Sequence, residues 1–142
     1  MKTQRLQLII RLLAVAWLCA AERSTAAGDL VVIGNPNVPP LDARTIERIY
    51  TGRVIEVNGI AVTAINASTG SQVRIKFLQN YLNEDEEKYE AYWIVRRYIG
   101  KGTPPREITG ASAVVDFVRS TPGAIGYVEE GDVTAGVKVL AK

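Results

Sequence analysis

The residues best suited to chemistry lie between a short apolar stretch and a long amphipathic one. Asn66-Ala67-Ser68-Thr69-Gly70-Ser71 supplies three hydroxyls and a glycine just ahead of a segment with helical periodicity. A helix start leaves its first amide N–H groups without carbonyl partners, and the helix dipole puts partial positive charge at the same end. Hydroxyls gathered there can complete a cradle for a small anion. Ser68, Thr69, Gly70 and Ser71 are therefore the candidate ligand-binding residues, and Arg74, one turn in, can add a charged fork. The same hydroxyls also suit plain N-capping, which any helix start favours and which the segment taken alone favours over a ligand site.

Other chemistry is restricted by composition. Histidine is absent from the 142 residues and the single cysteine is Cys19, which excludes Ser-His-Asp and Cys-His catalysis and histidine-bearing zinc sites. Asp116, Glu129, Glu130 and Asp132 have no spacing that sets one as acid and another as base, and no nucleophile motif accompanies them, so no enzyme activity is expected. Glu84 to Glu87 are sequence neighbours that cannot all face one ion; they read as a solvated helix start, and no metal or cofactor is expected. Tyr89, Tyr92, Trp93 and Tyr98 read as core and half-buried packing residues, and Lys101, Arg106 and Arg119 as surface cations.

The elements that must position the turn are readable on either side of it. Asp29 to Asn35 is a buried strand closed by turn residues, and Leu41 to Gly52 a helix with Asp42 as N-cap and Gly52 as stop. Asn58-Gly59 is a turn and Ile60 to Asn66 the next strand. A long amphipathic helix follows to about Asn83 through Val73, Phe77, Leu78, Tyr81 and Leu82, then another from the acidic run to about Ile99. Gly100 to Pro105 is a loop, Ser112 to Ser120 a helix, Ala124 to Val128 a strand and Gly136 to Leu140 a further strand. Strands alternating with helices predict an α/β fold, a layered sheet with flanking helices.

At 47% hydrophobic and 23% charged, with a mean hydropathy of +0.05, the chain has the material for one globular core. Its start differs in character: Lys2, Arg5 and Arg11 precede or interrupt the apolar run Leu12 to Ala21, and small residues follow. This reads as a secretory signal peptide over residues 1–27, cleaved after Ala21, Ala26 or Ala27, with an uncleaved anchor as the other reading; residues 28–142 form the working domain. Cleavage after Ala21 leaves 14 basic against 15 acidic residues. The net charge of −1 that results lacks the basic excess of a nucleic-acid binder.

Leu41-Asp42, Ile46, Ile49-Tyr50 and Gly52, the Gly70-Ser71 turn with Phe77 and Tyr81-Leu82 behind it, Trp93 before Gly100-Lys101-Gly102, and above all Thr121-Pro122-Gly123-Ala124-Ile125-Gly126-Tyr127-Val128 resemble the periplasmic phosphate-binding proteins of ABC importers. The resemblance covers about residues 30 to 130 and one lobe of a type II periplasmic binding protein. It implies a periplasmic domain that binds phosphate or a related oxyanion non-covalently, with an ABC permease or an envelope protein as partner and a homodimer as a way to restore the second wall. In the family the binding loop reads Arg-x-Asp-Gly-Ser-Gly-Thr; here Ala67 stands at the arginine position and Thr69 at the aspartate, and only Gly70 and Ser71 are kept. The alternative is a periplasmic interaction module that keeps the fold and has lost its solute.

Overall fold

The computed structural model describes residues 28–142, so the leader expected over residues 1–27 lies outside the described residues. β1 (Leu30–Gly34) is a run of aliphatic side chains buried on both faces, as a central strand requires. α1 (Ala43–Tyr50) begins where the Asp42 carboxylate accepts the Thr45 amide at 2.7 Å, and its buried stripe is Ile46, Ile49 and Tyr50. The single strand expected over Ile60 to Asn66 is two. Ile60–Ala61 (β3) turns back through Asn58-Gly59 onto Glu56–Val57 (β2), while Thr63–Ala67 (β4) joins the main sheet.

The amphipathic segment after the turn begins as α2 (Gln72–Phe77) and widens into a π-helical turn over Leu78–Leu82, closed by Asn83 in the left-handed region. A 3.6-residue apolar period does not distinguish the two windings. α3 (Glu86–Tyr98) is capped by Asp85 and carries Glu86 and Glu87 in its first turn and Arg96 and Arg97 in its last, matching the helix dipole. After the loop at Gly100 to Pro105, a stretch to which the sequence pattern assigns no element forms a three-residue strand, β5 (Arg106–Ile108). α4 (Ala111–Ser120), β6 (Ala124–Glu129), a short 3₁₀ turn at Glu130–Asp132 and β7 (Lys138–Ala141) complete the chain.

The five-stranded sheet has the order β5-β4-β6-β1-β7. β4 runs parallel to both β5 and β6, while β1 is antiparallel to β6, pairing Val32 with Tyr127, and to β7. Strand alternation divides the core in two. Val32, Ile125 and Tyr127 face α1, α2 and α3 through Tyr50, Phe77, Tyr89 and Trp93. Val31, Ile33, Ile65 and Val128 face α4 through Val114, Val115 and Val118. The expected α/β layered sheet with flanking helices is the observed fold. The Pro122-Gly123 turn fits under the β3 backbone only because it has no side chain there: a Cβ on Gly123, whose φ is +76°, would lie 2.0 Å from the Ala61 carbonyl oxygen.

Candidate functional site

Three parallel strands, β5, β4 and β6, end at one edge of the sheet, and two helices start there. Open α/β sheets hold ligands in the crevice outside such carboxyl ends. In this chain that crevice has a volume of about 270 Å³ and lies between the start of α2 (Ser71, Gln72, Val73) and the start of α4 (Gly110, Ala111), with Tyr127 and Val128 behind.

The four helices treat their N-termini differently. α1 and α3 are closed by aspartate side chains, Asp42 onto the Thr45 amide and Asp85 onto the Lys88 amide. α2 and α4 have no side-chain cap and no acidic residue in the first turn. The two helices whose positive ends are left open are the two that meet at the crevice. Ser71 Oγ is buried beside them without a hydrogen-bond partner. The far wall is less welcoming to an anion, because Glu129 and Asp132 line it; the Glu129 carboxylate is balanced by Lys76 at 3.6 Å.

A buried tyrosine network fixes the end of β4 against this crevice. The Tyr127 hydroxyl donates to Asn66 Oδ1 at 3.2 Å and accepts the Ala67 amide at 3.1 Å, while its ring stacks on Phe77 with centroids 4.0 Å apart. Asn66 Nδ2 donates to the Tyr89 hydroxyl, which donates to the Tyr50 carbonyl, and the Tyr50 hydroxyl donates to the Ile65 carbonyl. Burial pushes the Tyr127 and Tyr50 hydroxyls well up from their ordinary value and raises that of Tyr89, so all three remain neutral donors.

The five sequence-predicted site residues are divided between two places. Ser68 and Ser71 line the crevice, and Ser68 Oγ bridges to Thr109 Oγ1 at 2.9 Å, tying the two helix starts together. Gly70 adopts φ +79° with open space around it, so glycine serves the turn's conformation there rather than a close approach. Thr69 and Arg74 face the other way, toward Glu107 on β5. The Thr69 hydroxyl and amide donate to the Glu107 carboxylate at 2.6 and 3.4 Å. The fork expected of Arg74 is committed inside the protein: buried to 3% exposure, it donates to the Ala67 carbonyl at 2.9 Å, to Glu107 Oε1 at 2.6 Å and to Glu86. Glu107 thus occupies, as a built-in carboxylate, donors that the sequence assigned to a solute. Its carboxyl is held below the usual range, first by the Thr69 hydroxyl and, against the cost of partial burial, by Arg74.

Sequence reasoning missed Glu107, Glu86 and the start of α4. Thr109-Gly110 ahead of the Ala111 helix repeats, more faintly, the hydroxyl-glycine pattern of the Ser68 turn. Among the described residues no group of three or more His, Cys, Asp or Glu is placed to hold a metal ion.

No family model matches the sequence, and no curated protein matches it. Solved structures do match in fold. An ABC-type phosphate transport receptor from Vibrio cholerae superposes with a TM-score of 0.58 at 16% identity, over 80% of this chain and 45% of that one. A candidate phosphate ABC transporter substrate-binding protein with bound phosphate, from Clostridium perfringens, gives 0.62 at 21% identity over 80% and 44%. PstS from Borrelia burgdorferi gives 0.61 at 17% over 80% and 47%. The chain therefore spans a little under half the length of the structures it matches, and the shared fold is that of one lobe of a type II periplasmic binding protein.

Proposed function

We propose that this chain is an exported, periplasmic solute-binding lobe that takes phosphate or a related small oxyanion without covalent chemistry, in the crevice between the starts of α2 and α4. The observation that carries this reading is the contrast among helix ends: the two uncapped, acid-free N-termini converge on one crevice, and the two capped ones lie elsewhere. Ser68 and the unpartnered Ser71 Oγ line the crevice beside these helix ends, and Arg74 acts indirectly, by holding the Ala67 carbonyl and so the turn. The fold likeness to phosphate-binding proteins of ABC transporters supports the same ligand class and an ABC permease or envelope partner. Affinity is modest, because an open lobe leaves its anion partly hydrated. Isothermal titration with phosphate and with sulfate gives saturable heat, weakened by Ser71→Ala. Silence up to millimolar anion refutes the reading.

A second reading, an interaction module that has given up its solute, is favoured by Glu107. Its carboxylate already fills the Thr69 and Arg74 donors. If wild-type protein binds no anion and Glu107→Ala, which frees those donors, does, the chain's own side chain has replaced the ligand.

A further inference from the structure

α3 turns Tyr89 and Trp93 into the core and leaves its opposite face uncovered. On that face Ile94, Val95, Tyr98 and Ile99 are 66%, 59%, 91% and 57% exposed, the largest apolar exposure on any helix of the described residues. Residues 87, 91, 94 and 98 recur at intervals of four, three and four along it, the spacing of a helix-pairing seam. Beside Ile94 and Arg97 opens a cleft of about 550 Å³, walled on its far side by Pro104 and Pro105. The nearly bare Tyr98 ring stands one turn further along the same helix. A protruding aromatic and a recess next to it on one surface are the two halves of a self-complementary contact.

The charges select the occupant and its direction. Glu87 and Glu90 lie in the N-terminal half of the helix, Arg97 in its last turn and Lys101 in the turn just past its C-terminus, and among the described residues none of the four is held in an ion pair. An antiparallel neighbour of the same sequence sets each acidic end against a basic end, twice over; a parallel one sets like against like. We infer that α3 is the interface of a two-fold homodimer, packed antiparallel on the α3 of a second copy, with Tyr98 of each chain seated in the other's cleft beside Ile94. The helix is only about 20 Å long, so the contact is small and reversible, with dissociation in the micromolar range. The inference does not depend on oxyanion binding, since the crevice lies at the strand ends and α3 forms none of its walls.

Sedimentation and light scattering test it on the purified protein. The mass rises from one chain toward two as concentration climbs through the micromolar range, and Tyr98→Ser or Ile94→Asp holds it at one chain without lowering the melting temperature. Glu87→Lys with Glu90→Lys is monomeric, as is Arg97→Glu with Lys101→Glu, and mixing the two variants restores the dimer. A mass that stays at one chain throughout overturns the inference. So does a dimer indifferent to these substitutions, or a monomer whose α3 face binds vesicles of anionic phospholipid instead.

Discussion

Replacing Arg74 with methionine keeps most of the buried stem and removes the fork. In the folded protein the Arg74 side chain is 4% exposed and serves three acceptors: the Ala67 carbonyl, Glu107 and Glu86. Leaving a buried carbonyl unsatisfied costs roughly 1–3 kcal/mol. Breaking a fully buried ion pair by removing one partner costs about 3–5 kcal/mol. Glu86 and Glu107 keep 24% and 46% of their side-chain surface in water, so they rehydrate and the ion-pair cost falls well below that range. The expected loss is about 2–3 kcal/mol, a fall of roughly 10 °C in Tm for a domain of this size. Urea unfolding followed by fluorescence reads it directly, because Trp93 is buried to 4% exposure and packs edge-on to Tyr89, the ring beneath Arg74. Glu107→Gln, which still accepts from Thr69 and Arg74, loses less. A methionine variant as stable as wild type refutes the idea that Arg74 holds the turn in place.

Tyr127→Phe leaves the Ala67 amide and Asn66 Oδ1 without their shared partner; the expected cost is about 1–3 kcal/mol by urea unfolding, together with weaker phosphate binding, since Ala67 precedes the Ser68 turn. Acid acts through Glu107, whose folded pKa is lowered. Its contribution is complete above the unfolded value of about 4.3 and is lost as pH falls through the folded one, so the stability gap between wild type and Glu107→Gln at neutral pH closes in acid. Asp85→Ala removes the cap that accepts the Lys88 amide and lowers stability by about 1 kcal/mol, with no effect on anion binding.

Much of this arrangement is legible in the residues. β1 and β6 announce themselves as β-branched or aliphatic runs closed by turns, and α1 by its aspartate cap and glycine stop. β5 does not, because Arg106-Glu107-Ile108 has two charged residues out of three and becomes a strand only by pairing with β4. The turn at Ser68 to Ser71 is visible because glycine and hydroxyls mark it. The fate of Arg74 is hidden, since its partners lie 12 and 33 residues away and only the fold brings them together. The aromatic residues of α3 behave as helical spacing requires for Tyr89 and Trp93, which are buried, and for the half-buried Tyr92. Tyr98, five residues past Trp93, is carried about 140° round the helix and out of the core.

The central claim is that two uncapped helix ends form one anion site, and a residue-by-residue NMR titration with phosphate addresses it most directly. The account predicts that the backbone amides of Gln72, Val73, Ala111 and Ser112 shift together along one saturable curve, and that sulfate competes for the same response. Those four amides standing still while phosphate is raised to high millimolar concentration, or shifting no more than the capped starts of α1 and α3, would contradict it.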